Sequence, residues 1–281
     1  MPKIPKILTI GSAIQDVFLS NSKAFKTVRI DATHDVTELE LGAKIDVNNI
    51  GFSSGGGATN ASVTFARQGL QAIFFGVIGD DLAGNTIVAE LDKENVDTRY
   101  VRISDKFNTD YSTVILAPNG ERTILTYRGS STQISAKDFS TIDENFDWIY
   151  VSSLSGNLSE IDQIFAIAKK SGAKIMWNPG KKELEQTEKI KALLEDVEIL
   201  LVNKEEAKMI FSGETSEELA IHGANLVKVT LVTDGAEGVF ACDGENLVHC
   251  GIYEDVLAID RTGAGDAFGS GFLSQWVPGA D

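Results

Sequence analysis

Short apolar runs alternate with amphipathic helical patterns along most of the chain. Lys6 to Ile10 and Trp148 to Ser152 are apolar at nearly every position, which is typical of strands that are buried on both faces. Similar runs occupy 72–78, 174–177, 198–202 and 229–232. Between them, Glu160 to Ser171 and Thr187 to Glu195 carry their apolar residues on one helical face. The alternation predicts an α/β fold in which helices cover a mostly parallel sheet.

Two regions break this alternation. The stretch from about Asp16 to Phe52 has no helical stripe, and Tyr111 to Tyr127 indicates two strands around the turn Pro118-Asn119-Gly120-Glu121. Together they predict a small antiparallel sheet attached to the main layer. Since no linker or repeat divides the chain, we expect one domain over 1–281 with β segments at approximately 16–52 and 107–128.

The charge of the chain limits its partners. Among 281 residues, 25 are Lys or Arg and 41 are Asp or Glu, a net charge of -16. Such a field repels polyanions, so we expect neither nucleic acid nor membrane as a partner. A phosphorylated ligand would have to be held by local backbone amides and a metal ion. The two cysteines lack metal-ligand spacing, and no targeting or membrane segment is evident, so we expect a cytoplasmic protein.

The first glycine-rich segment is Gly55-Gly56-Gly57, followed by Asn60 and a helical pattern that ends at Gly69. Adjacent glycines at a helix entrance let a ligand approach the backbone, and Asn60 offers a donor and an acceptor. An ordinary turn with a helix cap explains the segment equally well, because glycine clusters are common in loops.

The second glycine-rich segment is Asp260-Arg261-Thr262-Gly263-Ala264-Gly265-Asp266, which leads into a helix. A Gly-Ala-Gly turn that opens a helix presents free N–H groups and the positive end of the helix dipole, which favours an anion. A lone Asp266 there would usually be structural. Its combination with an anion cradle indicates phosphoryl transfer to a hydroxyl group. The phosphate loop GxxxxGK[ST] does not occur in the sequence.

In order, the motifs GGGATN, GVIGDD, NKEE, TDGAEG and DRTGAGDAF resemble those of the ribokinase-like, PfkB-type carbohydrate kinases. The resemblance extends from about Lys6 to Trp276. It implies a three-layer α/β/α fold with a small β-sheet lid. It also implies an ATP-dependent kinase that transfers the γ-phosphoryl group to a hydroxymethyl group of a sugar.

The resemblance implies a role for each matching residue. Asp266 would be the general base, and the amides of Gly263, Ala264 and Gly265 would form the anion hole. Asn203 and Glu206 match the motif that organises Mg²⁺ through water, which suits a hard cation beside ATP. The positions implied for nucleotide binding are Asn203, Thr233, Gly235, Gly238 and Thr262. Asp260 matches a residue that some members associate with a monovalent cation such as K⁺.

On the acceptor side, the resemblance implies that Asp16, Gly56, Gly57 and Asn60 bind the substrate. Arg128, which follows the second predicted hairpin strand, is a candidate substrate contact, while a solvated arginine at the lid edge is the simpler interpretation. The lid sheet would close over the acceptor and exclude water. Its edge is also a candidate surface for a homodimer.

Two alternative functions and one difference from the family pattern stay open. A nucleoside kinase would need aromatic lid residues, for which Phe18, Phe25, Phe52 and Tyr111 are available. A non-catalytic sugar or nucleotide binder is a second alternative, although it would not need Asp266. Members of the resembling family usually continue for several helices beyond the GAGD helix, so the C-terminal end is expected to be short at Asp281.

Overall fold

The secondary structure follows the alternation in the sequence. The computed structural model describes residues 3–20, 25–31, 35–117, 122–253 and 263–277. The strands in these ranges are β1 (Lys6–Ile10), β2 (Ile14–Ser20), β3 (Lys26–Arg29), β4 (Asp35–Glu38), β5 (Asn49–Gly55), β6 (Gln71–Phe75), β7 (Val77–Gly79), β8 (Arg102–Ser104), β9 (Asp110–Leu116), β10 (Arg122–Tyr127), β11 (Trp148–Val151), β12 (Lys174–Trp177), β13 (Ile199–Asn203), β14 (Val229–Thr233), β15 (Val239–Cys242) and β16 (Leu247–Cys250).

The helices in the same ranges are α1 (Gly57–Arg67), α2 (Leu82–Lys93), α3 (Ala136–Phe139), α4 (Leu158–Ser171), α5 (Lys181–Leu184), α6 (Thr187–Leu194), α7 (Lys204–Ile210), α8 (Ser216–Gly223) and α9 (Ala264–Trp276). Short 3₁₀ turns cover Ser130–Gln133 and Gly235–Glu237.

The main sheet has the order β16-β15-β14-β13-β12-β11-β1-β6. Its pairs are parallel from β6 to β14, whereas β15 and β16 add to one edge in antiparallel fashion. The prediction of a mostly parallel sheet is therefore confirmed. All parallel strands end at the same edge of the sheet, which is where α/β proteins usually bind ligands.

Helices cover both faces of the main sheet. On one face, Phe65 of α1 packs edge-on against Tyr150 of β11, with the ring centroids 5.9 Å apart, and Leu273 of α9 belongs to the same core. On the other face, Phe165 of α4 packs against Trp177 of β12 at 5.2 Å, within a core that also draws on α3 and on α5 to α8. The expected three-layer α/β/α fold is confirmed.

A second, four-stranded sheet has the order β10-β9-β2-β5. The predicted hairpin is confirmed, since β9 and β10 pair antiparallel and Tyr111 faces Tyr127, while its turn at 118–121 lies outside the described residues. The prediction of a purely antiparallel sheet is wrong, because β2 and β9 are parallel from Ile14 and Asp110 onward. β2 follows β1 of the main sheet, whereas β9 follows β8 of a separate two-stranded sheet, so their relative direction is set by contacts between distant segments.

The sequence predicts a single strand over 72–78, and this prediction is also wrong. It divides at Gly76, so that β6 stays in the main sheet while β7 pairs with β8 in a two-stranded sheet. The carbonyl of Gly76 accepts a hydrogen bond from the amide of Arg102 at 2.9 Å. An apolar run cannot reveal this division, because both halves are buried.

In the part of the chain that the structure describes, no helix combines the length and the hydropathy that crossing a membrane requires.

The fold makes one prediction about stability. Replacing Phe165 by Ala removes a fully buried ring and leaves a cavity against Trp177, so the free energy of unfolding should fall by about 3–5 kcal/mol. Phe107→Ala, at a ring that is 39% exposed, is the control and should cost less than about 1 kcal/mol. Urea denaturation of both variants measures the difference, and equal losses would contradict the packing described.

Candidate active site

The ends of β1, β11, β12 and β13 meet the small sheet and α9 around a cavity of about 220 Å³. Side chains from separate parts of the chain converge on it, as expected at the carboxyl edge of a parallel sheet. The polar side chains that line it are those of Ser12, Arg128, Ser152, Ser153, Asn178, Glu206 and Asp266.

Asp266 lies in the first turn of α9 and is held by α1. The side-chain nitrogen of Asn60 donates a hydrogen bond to Asp266 Oδ2 at 2.9 Å. Burial raises the pKa of Asp266 above its ordinary value, and the hydrogen bond from Asn60 lowers it in part. The carboxylate is thus a better proton acceptor than an exposed aspartate, provided that the pH stays above its pKa.

The start of α9 is shaped to receive an anion next to that carboxylate. Gly263 caps the helix in a left-handed conformation, with φ of 74°, which glycine adopts without strain. Ala264 and Gly265 are exposed. The first amides of a helix have no partner within it, so they face a ligand together with the positive end of the helix dipole.

Gly57 provides the space beside Asp266. A Cβ atom at this position would lie 2.9 Å from Ser152 Cβ and 3.3 Å from Asp266 Oδ1. A side chain there would displace the carboxylate or the end of β11. Gly56, the N-cap residue of α1, precedes it, so the first glycine-rich segment does lie at the cavity.

Asn203 and Glu206 form a reciprocal cap at the start of α7. The amide of Glu206 donates to Asn203 Oδ1, and the amide of Asn203 donates to Glu206 Oε2, both at 2.9 Å. Glu206 lines the cavity, and burial raises the pKa of its carboxyl group. Hydrogen bonds with the amide and the side chain of Asn203 lower this pKa in part.

The turn after β14 lies next to this cap. Thr233 is the register partner of Asn203 across the parallel strands, and the turn that follows contains Gly235 and Gly238. Asp234 in the turn accepts hydrogen bonds from Lys204 Nζ at 2.8 Å and from Ser216 Oγ at 2.7 Å. Two further positions named from the sequence, Asp260 and Thr262, lie outside the described residues.

The small sheet places Asp16 near Arg128, which follows β10 and lines the cavity. Asp16 shares one face of the sheet with Ile14, which lines the cavity. Burial raises the pKa of Asp16, while a hydrogen bond with Ser112 and the charge of Arg128 lower it in part. Arg128 Nη1 lies 3.6 Å from Oδ2 of the fully buried Asp110, so this arginine is oriented by a fixed carboxylate.

The four aromatic residues proposed as partners for a nucleobase are not on one surface. Phe18 shares the face of Asp16, whereas Phe52 and Tyr111 lie on the opposite face of the small sheet. Phe25 is buried, with 3% of its surface exposed. One of the four residues is therefore placed on the same side as the acceptor positions.

Comparison with known proteins agrees with this fold. The model of the pfkB family carbohydrate kinases matches residues 24–281. The ribokinase of Haemophilus influenzae is 27% identical over 242 residues, which cover 83% of this chain and 77% of that protein.

Two solved structures share the fold. The ribokinase of Arabidopsis thaliana, complexed with ribose and ATP, has a TM-score of 0.78 and 22% identity, covering 99% of this chain and 88% of that chain. The nucleoside kinase of Burkholderia thailandensis, in complex with inosine, has a TM-score of 0.77 and 19% identity, covering 98% and 85%.

The chain belongs to the PfkB family of carbohydrate kinases. Its enzyme class is therefore that of the sugar-kinase phosphotransferases.

Several residues that line the cavity of this PfkB-family chain are not predicted by the sequence motifs. Ser152 and Ser153 follow β11, and Asn178 and Gly180 follow β12. The sequence nevertheless contains a signal for them, because polar residues directly after neighbouring parallel strands meet at one edge of the sheet. Glu183, which contacts these residues from behind, had no signal beyond its place in a short helical run.

The Asn60 hydrogen bond makes a prediction about the charge of Asp266. Asn60→Leu removes the donor that stabilises the carboxylate, so the pKa of Asp266 should rise further. A ¹³C NMR titration of the aspartate side chains measures this change. Asn85→Leu, at an exposed position of α2, is the control and should leave the titration unchanged. An unchanged or lowered pKa of Asp266 in Asn60→Leu would contradict the geometry.

Proposed function

We propose that this protein is an ATP-dependent kinase that phosphorylates a hydroxymethyl group of a neutral sugar. The observation that carries the proposal is the half-buried carboxylate of Asp266. Asn60 holds it at 2.9 Å, at the amide-rich start of α9, in a cavity that also contains Arg128 and Glu206.

Asp266 acts as the general base in this proposal. It takes the proton from the attacking hydroxyl group, which strengthens the nucleophile. The oxygen then bonds to the γ-phosphorus while the bond from that phosphorus to the bridging oxygen breaks and ADP leaves. Burial raises the pKa of Asp266, and a base works only when it is deprotonated. Activity should therefore be present above this raised pKa and decline as the pH falls through it.

The amides of Gly263, Ala264 and Gly265 serve as the anion hole. Their orientation is fixed by α9 before any ligand binds, so little reorganisation is needed as charge develops on the phosphoryl oxygens. Because the chain carries a net charge of -16, attraction of a polyanion depends on such local groups rather than on the overall field.

The residues fit a magnesium ion that is shared with the nucleotide. Among the described residues, no group of three or more His, Cys, Asp or Glu side chains is placed to hold a metal. Mg²⁺ commonly uses one or two carboxylates together with waters and phosphates. Glu206 and Asn203 would hold it, both through water. When bound, the ion offsets charge on the phosphates.

The nucleotide is proposed to lie along Asn203, Thr233, Gly235 and Gly238. The register pairing of Asn203 with Thr233 supports a continuous surface there. Thr262 keeps the nucleotide role that the family resemblance implies, and Asp260 keeps its role beside a K⁺ ion.

The acceptor is proposed to lie between Asp16, Gly56, Gly57, Asn60 and Arg128. Carboxylate, amide and guanidinium groups together suit adjacent hydroxyls. Arg128 is the one cation among the described lining residues of the cavity, and Asp110 already balances its charge. This arrangement favours a neutral sugar over a sugar phosphate. The position of the aromatic residues disfavours a nucleoside, and the retention of Asp266 disfavours a non-catalytic binder.

The small sheet is proposed to be the lid, within one domain that spans the chain. Its outer face, opposite Asp16, exposes Ile50, Phe52, Leu125 and Tyr127 by roughly half or more. Such a patch supports a homodimer in which two lids pair. The cytoplasmic location stays a prediction from the cysteine content and the charge.

The role of Asp266 is tested by Asp266→Asn. This change keeps the shape and one accepting oxygen but removes the base, so kcat should fall by roughly 10²–10⁴. Acceptor binding, measured by calorimetry, should change little. Asp162→Asn, at an exposed position of α4, is the control. Turnover by Asp266→Asn at the rate of the control would show that another group takes the proton.

The role of Glu206 is tested against a residue with the same capping role. Glu218 caps α8 as Glu206 caps α7, but Glu218 is exposed on the surface. Glu206→Gln should raise the Mg²⁺ concentration for half-maximal rate by about tenfold or more, and Glu218→Gln should not. Chelation of divalent cations should stop turnover in all forms. An equal Mg²⁺ requirement in both variants would rule out the metal role.

A further inference from the structure

Glu183 is a fully buried carboxylate, with 0% of its surface exposed. Its Oε1 accepts hydrogen bonds from the amides of Leu154 at 2.7 Å and Gly156 at 2.9 Å. Its Oε2 accepts one from the amide of Gly180 at 3.1 Å. Ser153 Oγ lies 3.0 Å from both oxygens. No lysine or arginine of the described residues forms an ion pair with it.

The backbone amides that donate to the two oxygens of Glu183 therefore come from different loops, while Ser153 Oγ contacts both oxygens. Oε1 holds the loop from β11 to α4, and Oε2 holds the loop from β12 to α5. A buried charge without a cation is tolerated only while its hydrogen-bond donors stay in place. The hydrogen bonds that stabilise the buried carboxylate are therefore present only while the two loops stay together.

The same two loops form one wall of the cavity that contains Asp266. Ser152 and Ser153 line it from the first loop, and Asn178 and Gly180 line it from the second. The loops also touch directly, because a Cβ atom added to Gly180 would lie 2.5 Å from Ser153 Oγ. A change in their spacing would change the shape of the wall that faces Asp266 and Glu206.

We infer that Glu183 is a positioning residue for phosphoryl transfer, which holds the two loops in the spacing that the reaction needs. This inference rests on the proposed kinase function. The hydrogen bonds of Glu183 reach neither the small sheet nor the turn from Thr233 to Gly238. Its loss should therefore affect the chemical step more than nucleotide binding.

Glu183→Gln is the most specific test. The amide group of glutamine has one accepting oxygen, so the amide donors of one of the two loops lose their acceptor. In the full-length chain, kcat should fall about tenfold or more, while KM for ATP stays within about threefold. Amide hydrogen exchange should become faster at Leu154 and Gly156, or at Gly180. Glu160→Gln is the control, since Glu160 accepts from the amide of Ala136 in α3 at 2.5 Å and does not line the cavity.

A milder variant keeps the inference testable if Glu183→Gln does not fold. Ser153→Ala removes the hydroxyl that bridges both oxygens but leaves the three amide donors in place. It should lower kcat several-fold, again with little change in KM for ATP.

The outcomes separate this inference from the function on which it rests. A wild-type chain that transfers no phosphoryl group overturns both. With an active wild type, a kcat of Glu183→Gln equal to that of Glu160→Gln overturns the positioning role alone. A rise in KM for ATP as large as the fall in kcat also overturns the positioning role, because it would indicate a general loss of structure. Faster exchange at the named amides together with a selective loss of kcat supports the inference.

Discussion

The hydrogen bond between Asn60 and Asp266 joins the starts of α1 and α9, and the rest of the site is arranged around it. It fixes a carboxylate beside free helix amides, where negative charge on a ligand is favourable. Gly57 leaves the space that this arrangement needs, since a Cβ atom there would lie 3.3 Å from Asp266 Oδ1. The bond also links two segments that are 206 residues apart in the chain.

The attraction of the cavity for a ligand depends on nearby groups and not on the net charge of the chain. The chain carries a net charge of -16, and Asp266, Glu206 and Asp16 add negative charge at the site, where burial raises the pKa of all three. The opposing groups are Arg128 and the amides at the start of α9. This balance favours a neutral acceptor and a phosphate donor whose charge is partly offset by a metal ion.

The sequence predicted the layers well because each depended on a local pattern. Buried runs such as Lys6 to Ile10 become strands in any environment that covers both faces, and DRTGAGDAF identified the family. Other features depended on contacts between distant segments. The parallel pairing of β2 with β9 joins segments about 95 residues apart in the chain, and the inferred role of Glu183 depends on loops that meet only in the folded chain. Asp260 and Thr262 lie outside the described residues, so their roles stay predictions.

The proposed reaction at this site is the transfer of the γ-phosphoryl group of ATP to a neutral sugar. The most direct measurement incubates the chain with γ-³²P-labelled ATP and Mg²⁺ over a panel of neutral sugars, sugar phosphates and nucleosides, and then identifies the labelled product. We predict label on the hydroxymethyl oxygen of a neutral sugar. Label confined to a nucleoside or to a sugar phosphate, or on no acceptor at all, would contradict the claim.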